Sequence, residues 1–151
     1  MEKRRAALAV YNDIFKEQDD LYRAVARRCG LSDCAFWVLY ALREAGRPMT
    51  QSDVCAAVYQ PKQTVHSALK KLLRDGCLRL TEGRDRRSKY LTLTEAGQAL
   101  MARTVDGVMA AETAAMNTMT TAEQEQLLTL FRRYTSALRQ YLPMDGPSDK
   151  E

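Results

Sequence analysis

The sequence has few of the residues that mark loop-rich, secreted or membrane-spanning proteins. Only 7 glycines and 4 prolines occur among 151 residues, which argues against a loop-rich all-β fold and favours a mainly helical one. The longest apolar run, Cys34–Leu42, has nine residues, whereas a membrane-spanning helix needs about 18 or more. The basic start of the chain is not followed by the apolar stretch of a signal peptide. These absences predict a cytoplasmic protein with no membrane partner.

The residues used for metal and catalytic chemistry are also scarce. His66 is the single histidine, and the sequence contains no Gly-rich phosphate loop, GxSxG or HExxH motif. The four cysteines contain no CxxC pair and are too sparse for a disulfide scaffold; they are Cys29, Cys34, Cys55 and Cys77. We therefore expect no enzymatic activity, no cofactor, no metal site and reduced cysteines.

Positive charge is concentrated in the middle of the chain. The net charge is +4, but residues 62–90 contain nine Lys or Arg and only three acidic residues, a local net charge of +6. The remaining residues sum to −2. A basic segment within a slightly acidic frame is typical of a nucleic-acid contact surface, although a chance excess of arginine on a solvated face would look the same.

The spacing of apolar residues predicts helices around a small β-hairpin. Helices are expected at 2–29, 33–45, 52–59, 61–75, 94–116 and 120–142. The pattern then alternates over residues 77–81 and 90–93, which predicts two short strands joined by a polar hairpin. The fold class is therefore mainly α with a two-stranded β-wing: a winged helix-turn-helix over residues 32–97, flanked by N- and C-terminal helices. The polar tail, residues 144–151, is expected to be flexible.

The helix at 61–75 has the pattern of a DNA-recognition helix. Its apolar stripe leaves polar and basic residues outside, with short side chains near the N-terminus and cations further along, as a helix in a major groove requires. The candidate contacts are Gln63, Thr64, His66, Ser67, Lys70, Lys71 and Arg74. An ordinary surface helix can carry a similar set, so the helix alone does not decide the function.

The predicted hairpin strengthens the DNA-binding hypothesis. Four cations crowd its tip and would repel one another without a polyanion nearby, and such arginines can enter a narrow minor groove. The candidate contacts are Arg84, Asp85, Arg86, Arg87 and Lys89. Asp85 is expected to hold one guanidinium in a bidentate pair. A solvated charged turn is the alternative.

The segments TVHSALKKLLRDGCLRL and EGRDRRSKYLTLTEAG resemble the recognition helix and wing of the MarR family of bacterial regulators. The most specific part is the pattern formed by Asp85, Arg87, Leu93, Thr94 and Gly97. The resemblance implies one unit over residues 1–143 that acts as a homodimer, with dimerisation helices at about 2–29 and 98–142, on double-stranded DNA with a palindromic operator. Ser67 departs from the many members that have arginine there, so the operator should differ.

The apolar stripes of the first and last helices support dimerisation independently. Both lie outside the predicted winged helix, and an exposed apolar stripe is an aggregation hazard unless another surface covers it. The alternative is that the two helices cover each other within one chain.

Two kinds of switch remain open. The family commonly has a small-molecule pocket, and aromatic residues in the first two helices could line one for a small aromatic or anionic effector: Tyr22, Phe36, Trp37 and Tyr40. A thiol-based redox sensor at Cys29 or Cys34 is the rival, since Cys34 would gain acidity from a helix N-terminus. The predicted function is a sequence-specific transcriptional regulator, acting as an effector-modulated repressor; a winged helix that binds protein instead of DNA is the alternative.

Overall fold

The computed structural model describes residues 2–143, with side chains from residue 6 onwards. The predicted tail at 144–151 lies outside the described residues. The chain forms two compact units, divided between Val108 and Met109. The helices are α1 Glu2–Arg28, α2 Asp33–Ala45, α3 Gln51–Ala57, α4 Lys62–Arg74, α5 Glu95–Ala102, α6 Val105–Met116 and α7 Thr121–Tyr141. The strands are β1 Met49–Thr50, β2 Leu78–Glu82 and β3 Lys89–Leu93.

The first two helices begin and end where local chemistry dictates. After α1, Gly30 adopts a left-handed φ of 69°, which costs glycine little and turns the chain. The Ser32 hydroxyl then accepts a hydrogen bond from Ala35 N and caps α2. Seven residues of α2 are buried, including Phe36, Val38 and Leu39, so this helix is the centre of the first unit.

The short helix α3 and the longer α4 form the helix-turn-helix. Thr50 and Asp53 make a reciprocal capping box at the start of α3, which satisfies two backbone N–H groups. Helix α4 buries Val65, Ala68, Leu69 and Leu72 and packs against α2 and α3. Leu73 of the same helix is half-buried.

The sheet has three strands, where the sequence predicted two. Strand β3 lies in the centre and pairs antiparallel with both β1 and β2. The two-residue β1 pairs Met49 with Leu91. Two residues show no alternation, so this strand depends on its partner β3 and has no signal of its own.

Gly97 lies where the end of the wing meets the next helix. Thr94 caps α5 by accepting from Gly97 N at 3.1 Å, and Thr94 N donates to the carbonyl of Cys77 at 3.1 Å. A Cβ at Gly97 would collide with that same carbonyl oxygen. Only glycine therefore fits the close approach of α5 to the start of β2.

The long helix predicted at 94–116 is interrupted after Ala102. Helices α5 and α6 are separated by Arg103 and Thr104, and Thr104 is buried. Its hydroxyl donates to the carbonyl of Leu100, the back-bonding that often bends a helix. The apolar pattern continues through the break, so periodicity does not reveal it.

The second unit consists of the end of α6 and the whole of α7. Thr120 and Glu123 form a capping box, with Glu123 Oε2 accepting from Thr120 N at 2.8 Å. These backbone and hydroxyl hydrogen bonds lower the pKa of Glu123. No described residue of α7 is buried.

Candidate nucleic-acid interface

Helix α4 presents most of its predicted contact residues to solvent. The exposed members are Gln63, Thr64, Ser67, Lys70, Lys71 and Arg74. The Ser67 hydroxyl donates to the carbonyl of Gln63 at 3.1 Å, which leaves its lone pairs for an outside donor. Lys71 Nζ lies 2.8 Å from Asp75 Oδ2, an exposed pair four residues apart that contributes little and leaves Lys71 available.

His66 is the member of this set that turns towards the protein. Its ring is half-buried, and Nε2 lies 4.0 Å from the Cys55 sulfur on α3. Helical periodicity placed His66 on the outer face, but a residue at the edge of a helix face can rotate towards a neighbouring helix. We therefore expect His66 to contribute less to any contact with DNA than its exposed neighbours Gln63 and Thr64.

The N-terminal turn of α4 is open. Pro61 precedes the helix and makes no side-chain capping bond to its first N–H groups. Such N–H groups together with the helix dipole form a ready anion site. In a duplex complex, a phosphate oxygen would supply the missing acceptor.

The wing carries four exposed cations on a well-defined turn. Arg84, Arg86, Arg87 and Lys89 form no ion pair with any of the side chains that the structure describes, residues 6–143. Arg86 has a positive φ of 55°, and Gly83 N donates to the carbonyl of Ser88 at 2.8 Å to close the hairpin. The turn therefore holds its guanidinium groups away from the body of the wing.

Asp85 has a different structural role from the one that the sequence suggested. Its Oδ1 accepts from Ser88 N at 3.1 Å and its Oδ2 from the Ser88 hydroxyl at 2.9 Å, and it pairs with no arginine of the described chain. These hydrogen bonds lower the pKa of Asp85. The expected guanidinium pair is thus replaced by a local turn, as aspartate commonly forms two or three residues ahead.

A cavity in the first unit partly matches the predicted effector pocket. About 490 Å³ in volume, it is lined by α1, α2 and the turn before α4. Trp37 and Tyr40 line it, whereas Phe36 is completely buried and so cannot touch a ligand. Tyr22 is not part of the lining, but its ring packs on that of Trp37 with centroids 5.0 Å apart.

The charges around this cavity are mostly negative. Its lining includes the carboxylates of Asp19, Asp33 and Glu44 but only one cation, Arg23. Arg43 on α2 forms a two-point ion pair with Asp106, at 2.7 and 2.9 Å, and is not part of the lining.

The cysteines offer little support for a thiol switch. Cys34 is buried, and burial is the largest of the effects that raise its pKa, followed by the charges of Asp33 and Cys55. The expected gain of acidity from the helix N-terminus is therefore outweighed. Cys29, Cys55 and Cys77 are half-buried and free.

The described residues contain no group of three potential metal ligands, and none of the described helices has the length and apolarity needed to cross a bilayer.

The geometry defines a winged helix-turn-helix protein with an exposed recognition helix and a basic wing. Residues 29–88 match the model of the MarR family, which confirms over this segment the resemblance seen in the sequence. Members of that family are DNA-binding transcription regulators. No curated protein is significantly similar in sequence to the chain.

Solved structures of MarR regulators share the fold. NMB1585 of Neisseria meningitidis is 24% identical with a TM-score of 0.72, over 89% of this chain and 94% of its own. MepR of Staphylococcus aureus in complex with DNA is 18% identical with a TM-score of 0.67, over 85% and 94%. BpsR of Bordetella bronchiseptica, whose DNA binding is regulated by 6-hydroxynicotinic acid, is 22% identical with a TM-score of 0.60, over 83% and 98%.

Proposed function

We propose that this protein is a sequence-specific transcriptional repressor that binds a palindromic operator as a homodimer. The observation that carries the proposal is the combination of an exposed polar row on α4 with a basic wing inside a segment that matches the MarR family model. Either element alone is compatible with an ordinary surface. Together they supply the two contacts that a winged helix makes with duplex DNA, one in the major groove and one beside it.

Within this proposal the exposed residues of α4 divide by length and charge. Gln63, Thr64 and Ser67 stand near the helix N-terminus, where short polar side chains reach base edges; a glutamine can pair with adenine through two hydrogen bonds. Lys70 and Arg74 lie further along and meet phosphates, which give affinity without sequence information. Arg84, Arg86 and Arg87 enter or flank the minor groove, where the potential is most negative.

The homodimer is supported by apolar residues left exposed on the first and last helices. On α1 these include Leu8, Ile14, Phe15 and Leu21, and on α7 Leu127, Leu128 and Leu130. Monomeric proteins rarely expose contiguous apolar patches of this kind. A second copy of the chain, burying these helices in its own equivalents, is the occupant that also places two winged helices on a two-fold operator.

Control by a small molecule is proposed from the cavity and from the relatives. BpsR responds to 6-hydroxynicotinic acid, and the cavity beside the turn before α4 gives this chain a place for an effector. A bound molecule there would touch the segment that leads into the recognition helix. Since its target is chromosomal DNA, we place the regulator in the bacterial cytoplasm, with no catalytic step of its own.

Fluorescence anisotropy tests the proposal with DNA from upstream of the protein's own gene and a scrambled duplex of equal length and composition. We expect tight binding that the scrambled competitor does not displace, and a steep fall of affinity with salt. Equal, weak binding to both duplexes would contradict operator recognition there. If a genome-wide selection of fragments then also enriched none, the protein-binding alternative would replace the proposal.

A further inference from the structure

The cavity between α1, α2 and the turn before α4 has a chemistry that points to one class of ligand. Its volume, about 490 Å³, lies in the range of roughly 300–1,000 Å³ that small-molecule sites occupy. Tyr59 and Gln60 contribute to its wall. They precede the first residue of α4, Lys62, by three and two residues. A ligand here would therefore touch the segment that leads into the recognition helix.

The lining carries an excess of negative charge. Asp19 is neutralised by Arg23, with Arg23 Nη2 at 2.8 Å from Asp19 Oδ2. Asp33 and Glu44 have no cationic partner among the side chains of residues 6–143, and both line the same cavity. Two uncompensated carboxylates around a partly enclosed cavity attract a cation and repel an anion.

Asp33 also has an unfilled hydrogen-bonding position. Its Oδ2 accepts from Gln60 Nε2 at 3.2 Å, whereas its Oδ1 is buried and has no hydrogen-bond partner within the described part of the chain. A buried carboxylate oxygen without a donor is costly. An N–H group supplied by a ligand would satisfy it.

Aromatic rings complete the lining. Trp37 and Tyr40 stand side by side with ring centroids 5.3 Å apart, and the Tyr59 side chain is fully exposed, at 102%. Aromatic faces bind both the apolar body of a ligand and a cationic head within about 6 Å of the ring centre. Carboxylates combined with such rings are the usual means of recognising an organic ammonium ion.

We propose that this cavity binds an organic ammonium ion with an aromatic or apolar body, which donates an N–H to Asp33 Oδ1 and lies against Trp37 and Tyr40. The inference rests on the proposed function, because it names the chemical class of the regulator's effector. The ammonium draws the Asp33 carboxylate out of its hydrogen bond with Gln60 Nε2, so binding loosens the turn that precedes α4. The bound protein therefore has a lower affinity for its operator.

Trp37 is the single tryptophan of the chain, so its fluorescence reports binding without DNA or label. The probes are 2-phenylethylammonium, 2-phenylethanol and 3-phenylpropionate, which share a phenyl body and differ in the charge of the head group. We expect saturable quenching by the ammonium compound, at least tenfold weaker binding of the alcohol and none of the carboxylate. Equal binding of all three, or preference for the carboxylate, would overturn the proposal.

Matched variants locate the site. Asp33→Asn keeps the shape of the side chain and should weaken ammonium binding at least tenfold, and Tyr59→Ala, at a fully exposed position, should weaken it several-fold without unfolding the protein. Asp13→Asn removes the same charge from an exposed position of α1 outside this cavity and should leave binding unchanged. An equal loss in Asp33→Asn and Asp13→Asn, or no loss in Tyr59→Ala, would show that the probe binds elsewhere.

The same probe then tests the effect on DNA. At a saturating concentration it should reduce operator affinity of the wild type at least fivefold and leave Asp33→Asn unaffected. Quenching without a change in DNA affinity would overturn the coupling to α4. A protein that binds the ammonium probe but no operator would contradict the proposed function and leave the cavity assignment standing; the reverse result would contradict the cavity assignment alone.

Discussion

At the scale of single residues, exposure was easier to predict than orientation. The 3.6-residue period places Gln63, Ser67 and Lys70 on the outside of α4, and the structure finds them exposed. The inward turn of His66 depends on Cys55, eleven residues earlier and on another helix. No property of the α4 sequence reports that neighbour.

Asp85 gives a prediction in which two effects have opposite signs. Removing an anion from a DNA-binding wing should strengthen binding through simple electrostatics. The structure instead makes Asp85 the acceptor that holds Ser88 and shapes the turn, so Asp85→Ala should bind operator DNA several-fold more weakly in an anisotropy titration.

Glu82→Ala is the matched control for this test. Glu82 is an exposed anion at the end of β2 in the same wing, and the described residues give it no side-chain hydrogen bond or ion pair. Its removal should leave DNA affinity unchanged or slightly increased. Tighter binding by Asp85→Ala, equal to that of Glu82→Ala, would refute the turn-forming role.

At the scale of elements, the long periodic segments were predictable and the short ones were not. Helices α1, α4 and α7 bury or expose a continuous stripe that a sequence window can detect. Strand β1, with two residues, and the interruption at Thr104 are fixed by contacts with β3 and with Leu100. The pairing with β3 is a tertiary contact and the Thr104 hydrogen bond is a local one, and neither leaves a periodic trace in the sequence.

The junction between β2 and α5 gives a stability prediction. Gly97→Ala would drive a methyl group into the Cys77 carbonyl, and overpacking of this kind costs about 1–3 kcal/mol. Gly107 in α6 has nothing within 4 Å of the position that a Cβ would take, so Gly107→Ala should instead stabilise the helix by about 0.5–1 kcal/mol. Urea unfolding of the two variants should give opposite signs; a stabilised Gly97→Ala would contradict the close approach.

At the scale of the whole molecule, the sequence predicted a homodimer, whose second copy is not part of the structure of a single chain. Several leucines of α7 are exposed, and in the proposed dimer the second copy would cover them. The apolar spacing in the sequence was enough to predict this exposed stripe. The cavity was harder to predict because it is assembled from α1, α2 and the turn before α4. Its aromatic residues were partly foreseen, but the sign of its charge was not.

Oligomeric state tests the use of the α7 surface. The wild type should sediment at twice the chain mass of 17.1 kDa, and Leu130→Glu should shift it towards the monomer because a charge would be buried without a partner. Gln126→Glu adds the same charge at an exposed polar position of α7 and should remain dimeric. A monomeric wild type, or a Leu130→Glu variant that still sediments as a dimer, would contradict this interface.

The most direct test of the account is the salt dependence of operator binding with and without the cations of the wing. The affinities of the wild type, Arg87→Ala and Arg103→Ala should be measured by anisotropy across a salt series; Arg103 is an exposed arginine of the turn between α5 and α6. We predict that Arg87→Ala weakens binding at least tenfold and flattens the log–log salt slope by about 1 for each phosphate that the side chain neutralises in the wild type. Arg103→Ala should retain the wild-type slope, and equal slopes for all three proteins would contradict a DNA-contacting wing.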